Sequence, residues 1–343
     1  MIHSARHSLK QGYARRKTRL ISINIILLLL TVSLCCYMLL YGKTNYELST
    51  VIRVLNGEQI QGATFTIGTL RLPRMLSGLL AGIAFGIAGN TFQTMLRNPL
   101  ASPDIIGISS GSSIAAIFCI LILHMSGTGV SIAAVISGII VSTLIYLLSK
   151  GLGFSGSRLI LIGIGMQAMI NALISYLLAK ATHNDASVAL RWLSGSLNGM
   201  SIKDVPALFI VVVIFGVIIL CLTKELQILE LGDEFATTLG VKINLIRIML
   251  ILSSVFLIAF ATSITGPIAF VAFLSGPIAS RLVGPGAPNV LAAGLVGALL
   301  VLGADMIGQY AFSTRFPVGV VTGILGAPYM LFLLVVINRR GQR

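Results

Sequence analysis

The sequence predicts an all-α, polytopic membrane protein that crosses a bilayer about ten times, and three observations carry that reading. The first is composition: soluble domains carry roughly a quarter charged residues, whereas this chain is 10% charged and 56% apolar. The second is length without charge. A membrane-spanning helix needs roughly 20 mostly apolar residues, and the stretches 75–96, 105–149, 159–179, 205–223, 248–280, 282–304 and 316–338 contain no Asp, Glu, Lys or Arg. One charge at a helix centre costs about 2.5–3.5 kcal/mol on insertion, so charge-free runs of this length are not accidental. The third is placement: Lys and Arg gather in the connections and at the ends.

With helix breakers as punctuation, the apolar runs become ten spans in order: 20–42, 74–96, 103–124, 129–149, 158–180, 204–223, 245–265, 268–284, 288–312 and 317–338. The first follows a basic tail holding Arg6, Lys10, Arg15, Arg16, Lys17 and Arg19. Pro73 suits the first turn of the second. The seventh and eighth come from one run, 248–280, split by Gly266-Pro267 and again by Gly276-Pro277. Part of that run is open to a broken or re-entrant reading, which lipid allows only where protein shields the backbone. Gly78, Gly82, Gly86 and Gly89 on the second span, with Gly163 and Gly165 on the fifth, are spaced to let helix backbones approach closely.

Ten spans place both termini on one side. With the N-terminus inside, 16 of the 24 Lys and Arg residues fall on the inner side and 8 on the outer, so the positive-inside rule sets both ends in the cytoplasm. The chain then divides into a basic cytoplasmic tail (1–19), one transmembrane domain (20–338) with a cytoplasmic segment at 224–244, and a short tail (339–343). The net charge of +14 follows from this topology, and no nucleic-acid partner is expected. Cys35, Cys36, Cys119 and Cys221 all lie in apolar runs and read as small buried side chains rather than a disulfide or metal set. The first apolar run is long and lacks a small-residue cleavage site, so no cleavable leader is expected.

Chemistry-bearing groups are sparse. Asp305 is the only acid well inside a span, and no chain of carboxylates or histidines suggests proton relay. Neither a His-Glu-x-x-His constellation nor a phosphate-binding loop of the Walker type occurs. No cofactor is expected, and an enzyme of the membrane is disfavoured.

Three groups of residues stand out. Within 224–244, Asp233 can N-cap a short helix, Glu234 favours its positive end, and Gly240 suits its stop. Phe235 and Leu239 then share one face. An interfacial helix on lipid is the bland alternative, but Glu225, Glu230, Asp233 and Glu234 oppose an anionic leaflet, so a protein partner is favoured. On the opposite side, Arg71 and Arg74 flank Leu72-Pro73 where dipole and topology both disfavour cations. They point equally to an acidic external partner or to snorkelling toward headgroups. Asn90 with Gln93, and Gln167 with Asn171, share helix faces and serve either interhelical hydrogen bonding or pathway lining.

The chain resembles the permease subunits of ATP-binding-cassette importers for iron–siderophore complexes, haem and cobalamin. The matching blocks are Arg71-Leu72-Pro73-Arg74, Gln93, Arg97-Asn98-Pro99-Leu100-Ala101 with Pro103, and Gly107-Ile108-Ser109-Ser110-Gly111. They continue with Arg191-Trp192-Leu193-Ser194-Gly195-Ser196, Leu231-Gly232-Asp233-Glu234 with Ala236, and Leu239-Gly240-Val241. The last are Gly266-Pro267-Ile268-Ala269-Phe270-Val271, Ala304-Asp305, Pro317-Val318-Gly319-Val320 and Gly326-Ala327-Pro328. Phe273 through Arg281 is closer to the iron–siderophore branch than to the cobalamin branch.

The resemblance implies a type II ABC importer permease fold of ten helices in the bacterial cytoplasmic membrane. It implies a second permease subunit, identical or different, two ABC ATPase subunits beneath, and a substrate-binding protein above. Gly232, Asp233, Glu234, Phe235, Ala236, Thr237, Leu239 and Gly240 would form the coupling helix on the ATPase. Arg71 and Arg74 would meet acidic residues of the binding protein. Where relatives carry a further arginine after the Ala-Asp pair, this chain has Gln309, and Arg315 nearby is the candidate replacement. The mechanism implied is alternating access driven by ATP in partner subunits. The rival is an ion-coupled secondary transporter with Asp305 as carrier.

Overall fold

The computed structural model describes residues 2–150, 156–284 and 286–341, and among these the regular structure is entirely helical. In chain order the helices are α1 (Ile2–Leu40), α2 (Leu48–Leu55), a π-helical turn (Thr64–Arg71) running into α3 (Leu72–Met95), and a 3-10 turn (Pro103–Ile106) before α4 (Ile108–Leu121). Then come α5 (Thr128–Lys150), α6 (Gly156–Lys180), α7 (His183–Leu193), α8 (Val205–Cys221), α9 (Thr223–Glu230) and α10 (Asp233–Thr238). The chain ends with α11 (Ile243–Thr265), α12 (Val271–Val283), α13 (Val290–Tyr310) and α14 (Val318–Gly341). Gln342 and Arg343 of the predicted tail lie outside the described residues.

Among the described residues, six helices are long and apolar enough to cross a membrane, α8 with α9 makes a seventh bent by 54°, and three apolar helices are shorter. Each of the ten predicted runs lies on one of these ten. The basic tail is helical: α1 begins at Ile2 and runs unbroken through the first span. Arg19 ties that extension to the bundle by donating to the Leu282 and Arg281 carbonyl oxygens (3.0 and 3.2 Å), which satisfies acceptors left open at the end of α12.

α3 is the central post, packed against α13, α11, α12 and α8 and buried nearly all round. Its glycines explain how. A Cβ at Gly82 would stand 2.5 Å from the Ala298 Cα, and one at Gly86 or Gly89 would overlap the carbonyls of Ala293 or Ala272. Backbone touches backbone there, as small-residue packing in lipid requires. On α6, Gly163 likewise abuts Ile105, while Gly165 faces open space.

α12 settles the divided run. It is 13 residues long, roughly 20 Å at 1.5 Å per residue, and carries Pro277 inside it. Pro277 has no N–H for the carbonyl of Phe273, and the Gln93 Nε2 of α3 donates to that oxygen instead (2.8 Å). The connection before α12 is also shielded: Ser196 N–H donates to the Thr265 carbonyl (2.7 Å), and Gly319 N–H to the Gly195 carbonyl (3.1 Å). Gly195, Gly266 and Gly319 sit where any Cβ would strike a backbone oxygen of Pro267, Trp192 or Ser194. Three distant glycine motifs therefore knit one irregular crossing.

The cysteines correct the sequence reading. Cys119 is buried, but Cys36 and Cys221 are exposed and Cys35 is half-buried, because they occupy flanks of α1 and α8 that, among the described residues, no other helix covers.

Candidate functional site

At one end of the bundle α8 stops at Cys221, the chain bends by 54° into α9, and a foot forms from α9, α10 and the start of α11. Gly232, at φ +116°, supplies the left-handed turn that precedes α10. It is also the N-cap, in place of Asp233, which is the first helical residue and caps nothing. The half-exposed Asp233 carboxylate turns toward α11 because Arg247 takes it: Nη2 donates to both carboxylate oxygens, each at 3.0 Å. Gly240 (φ +80°) ends α10 as predicted. The Val241 N–H donates to the Ala236 carbonyl (3.0 Å) and the Gly240 N–H to that of Thr237 (2.9 Å), a Schellman stop. Ala236 is buried beneath, Thr237 bonds back to the Asp233 carbonyl, and Glu234 faces solvent. Phe235 and Leu239 stand 65% and 62% exposed, with Leu231 beside them at 62%.

At the other end stands a charged cluster. The Arg74 Nε and Nη2 donate to the two Asp305 oxygens (2.8 and 2.7 Å), and Nη1 donates to Asn198 Oδ1 (2.5 Å). Gln309 Nε2 donates to Asp305 as well (2.7 Å), and Asp305 is only 1% exposed. Pairing makes a buried charge tolerable where an isolated one is not. Arg71 is engaged separately. It donates to the carbonyls of Leu39 (2.8 Å) and Thr44 (2.5 Å), and its guanidinium lies 5.4 Å from the centre of the Tyr46 ring. Arg315 is exposed on the loop after α13. Of the three predicted docking arginines, then, two are held by this chain's own groups. Asn198 and Gln309 belong to the cluster, and sequence reading gave them no such role; the signal was the lone Asp305, which needed a cation.

The predicted polar pairs separate. Gln93 is the repair of α12, and Asn90 is buried next to it, so neither borders an open path in this conformation. Gln167 is half-buried and Asn171 exposed on the uncovered flank of α6, among Leu161, Ile164 and Tyr176.

A profile of the FecCD transport family matches residues 27–336. The chain belongs to the FecCD transport family. Among relatives, it is 36% identical over 321 residues to the ferric enterobactin transport system permease protein FepG of Escherichia coli, covering 92% of this chain and 97% of that one. It is 34% identical to FepD, the other ferric enterobactin permease protein of that organism, over 92% of this chain and 96% of FepD. A solved metal-chelate type ABC transporter in an inward-facing conformation superposes with a TM-score of 0.81 at 28% identity, over 92% of this chain and 99% of that one. This FecCD protein is therefore a multi-pass membrane transport permease, with the fold that the sequence predicted.

Proposed function

We propose that this FecCD permease forms the translocation pathway of an ATP-driven importer for an iron(III)–siderophore complex, working by alternating access. The observation that carries the reading is the foot. Leu231, Phe235 and Leu239 are exposed on and beside the short helix α10 at the end of the bundle, and an apolar patch of that kind marks a partner surface. The neighbouring Glu230 and Glu234 disfavour an anionic leaflet as that partner. On this reading Gly232–Gly240 is the coupling helix, seated on an ABC ATPase subunit that hydrolyses the nucleotide, because this polypeptide has no phosphate loop of its own.

The uncovered flank of α6, with Gln167 and Asn171, faces a second permease subunit, identical or different; similarity to both FepG and FepD supports such pairing. The opposite end receives a substrate-binding protein, with exposed Arg315 as its readiest contact, since Arg71 and Arg74 have partners already. The protein would lie in the bacterial cytoplasmic membrane with both termini in the cytoplasm, as the positive-inside count indicates. Names of the similar permeases support a ferric siderophore as cargo.

Replacing Phe235 and Leu239 together by Glu is expected to strip the ATPase from the purified complex and stop uptake of labelled ferric siderophore. An ATPase that stays bound at native affinity would overturn the coupling assignment. Parallel uptake of labelled haem and cobalamin tests the cargo. An ion-coupled mechanism would show uptake that persists without ATP and stops when the gradient collapses, but the acid it needs, Asp305, is already neutralised by Arg74.

A further inference from the structure

Two transmembrane helices reach the foot with an arginine each, and both arginines point at Asp233. Arg247 lies one turn into α11 and is 5% exposed, with its Nη2 shared between both Asp233 oxygens as described above. A cation near a helix N-terminus opposes the dipole, and a buried one needs a fixed counter-charge. Arg97 ends α3, with Nη2 3.9 Å from the Asp233 carboxylate. It occupies the left-handed region at φ +52°, the position where helices ordinarily place glycine. The turn is a complete Schellman stop, in which Asn98 N–H donates to the Gln93 carbonyl (3.0 Å). Glycine would make the same turn without strain, so an arginine there serves its side chain rather than its backbone. That side chain packs on Gly232, where an added Cβ would come within 3.3 Å of Arg97 Nη1.

We propose that Asp233 is a positioning residue that links the foot to α3 and α11 through Arg97 and Arg247, and so sets how much transport each ATP hydrolysed produces. It does not serve as a contact for the ATPase. The inference rests on the coupling-helix reading and divides its surface in two. Phe235 and Leu239 stand on the exposed face and bind; Asp233, 46% exposed, turns its carboxylate to the two arginines and transmits. α3 is the most deeply embedded helix of the bundle and α11 packs along it, so a displacement of the foot passes directly to the centre of the molecule.

The experiment uses the complete transporter, reconstituted with its ATPase and binding protein in liposomes. Three quantities are measured: ATPase affinity, ATP turnover, and labelled ferric siderophore imported per ATP. Arg97→Gly is expected to keep native ATPase affinity and to hold or raise the melting temperature, because strain is relieved. Import per ATP should nevertheless fall at least about fivefold, the lower range for a coupling between sites. Arg97→Lys, which restores the cation, should recover part of that loss, and Asp233→Asn should reproduce it. Native import per ATP in both Arg97→Gly and Asp233→Asn would overturn the proposal. If the Phe235→Glu, Leu239→Glu protein still binds the ATPase at native affinity, the parent reading falls instead, and the proposal with it.

Discussion

Gln93 shows how much one side chain can hide in a sequence. On its helix face, beside Asn90, it was open to a role in packing or in lining a path. Its task depends on Pro277, 184 positions later, and on the carbonyl that Pro277 leaves without a donor. Gln93→Leu should therefore lower stability by about 1–3 kcal/mol, the cost of an unsatisfied buried acceptor. Thermal unfolding in detergent measures it, and a Gln93→Leu, Pro277→Ala double variant should recover most of the loss, since alanine restores the missing N–H. The Arg74–Asp305 pair is legible in the same partial way. Each residue is an oddity alone, but 231 positions separate them and no spacing rule joins them. Asp305→Ala should cost about 3–5 kcal/mol by stranding a buried guanidinium. Replacing both partners by apolar residues should cost less than that single change, and a double-mutant cycle separates the two cases.

At the scale of elements, the ten apolar runs were legible because lipid enforces a length and forbids charge. Their ends were legible where Gly and Pro interrupt them. Elements outside that constraint were not. α2 and α7 have no spanning length to betray them, although α7 carries a reciprocal Thr182–Asp185 cap in its sequence. The foot is partly legible: its stop at Gly240 and its exposed Phe235 and Leu239 agree with expectation, but the cap expected of Asp233 is supplied by Gly232. The helix end alone does not decide the matter, because a buried arginine 14 residues on has the stronger claim on the carboxylate. The glycine rows allow a sharp comparison. Gly89→Val should yield little folded protein, because overpacking here meets backbone rather than a side chain that can yield. Gly165→Val faces open space and should leave the monodisperse yield of the isolated chain unchanged. Size-exclusion profiles in detergent decide both.

At the scale of the whole molecule, the described residues leave two kinds of surface. α1 and α5 present apolar flanks suited to acyl chains, while α6 mixes Gln167 and Asn171 into a flank that is otherwise apolar. A polar side chain in contact with lipid is costly, so that flank is expected to meet another subunit. Cysteines placed at Asn171 in this chain and at the corresponding position of its partner should cross-link in native membranes. Cross-linking only between detergent-solubilised, unassembled chains would place the seam elsewhere.

α3 has a mechanical consequence of its own. From Arg74 to Arg97 it is a rod about 35 Å long, tied at one tip to Asp305 and at the other to the foot. Its close backbone contacts, at Gly82, Gly86 and, tightest of all, Gly89, fall within its middle third. A stiff beam gripped at the waist seesaws more readily than it slides, so on the proposed alternating-access reading a push at the foot would move the Arg74 tip the opposite way. On that reading the two mouths of the passage would open in turn without any message having to pass through its walls.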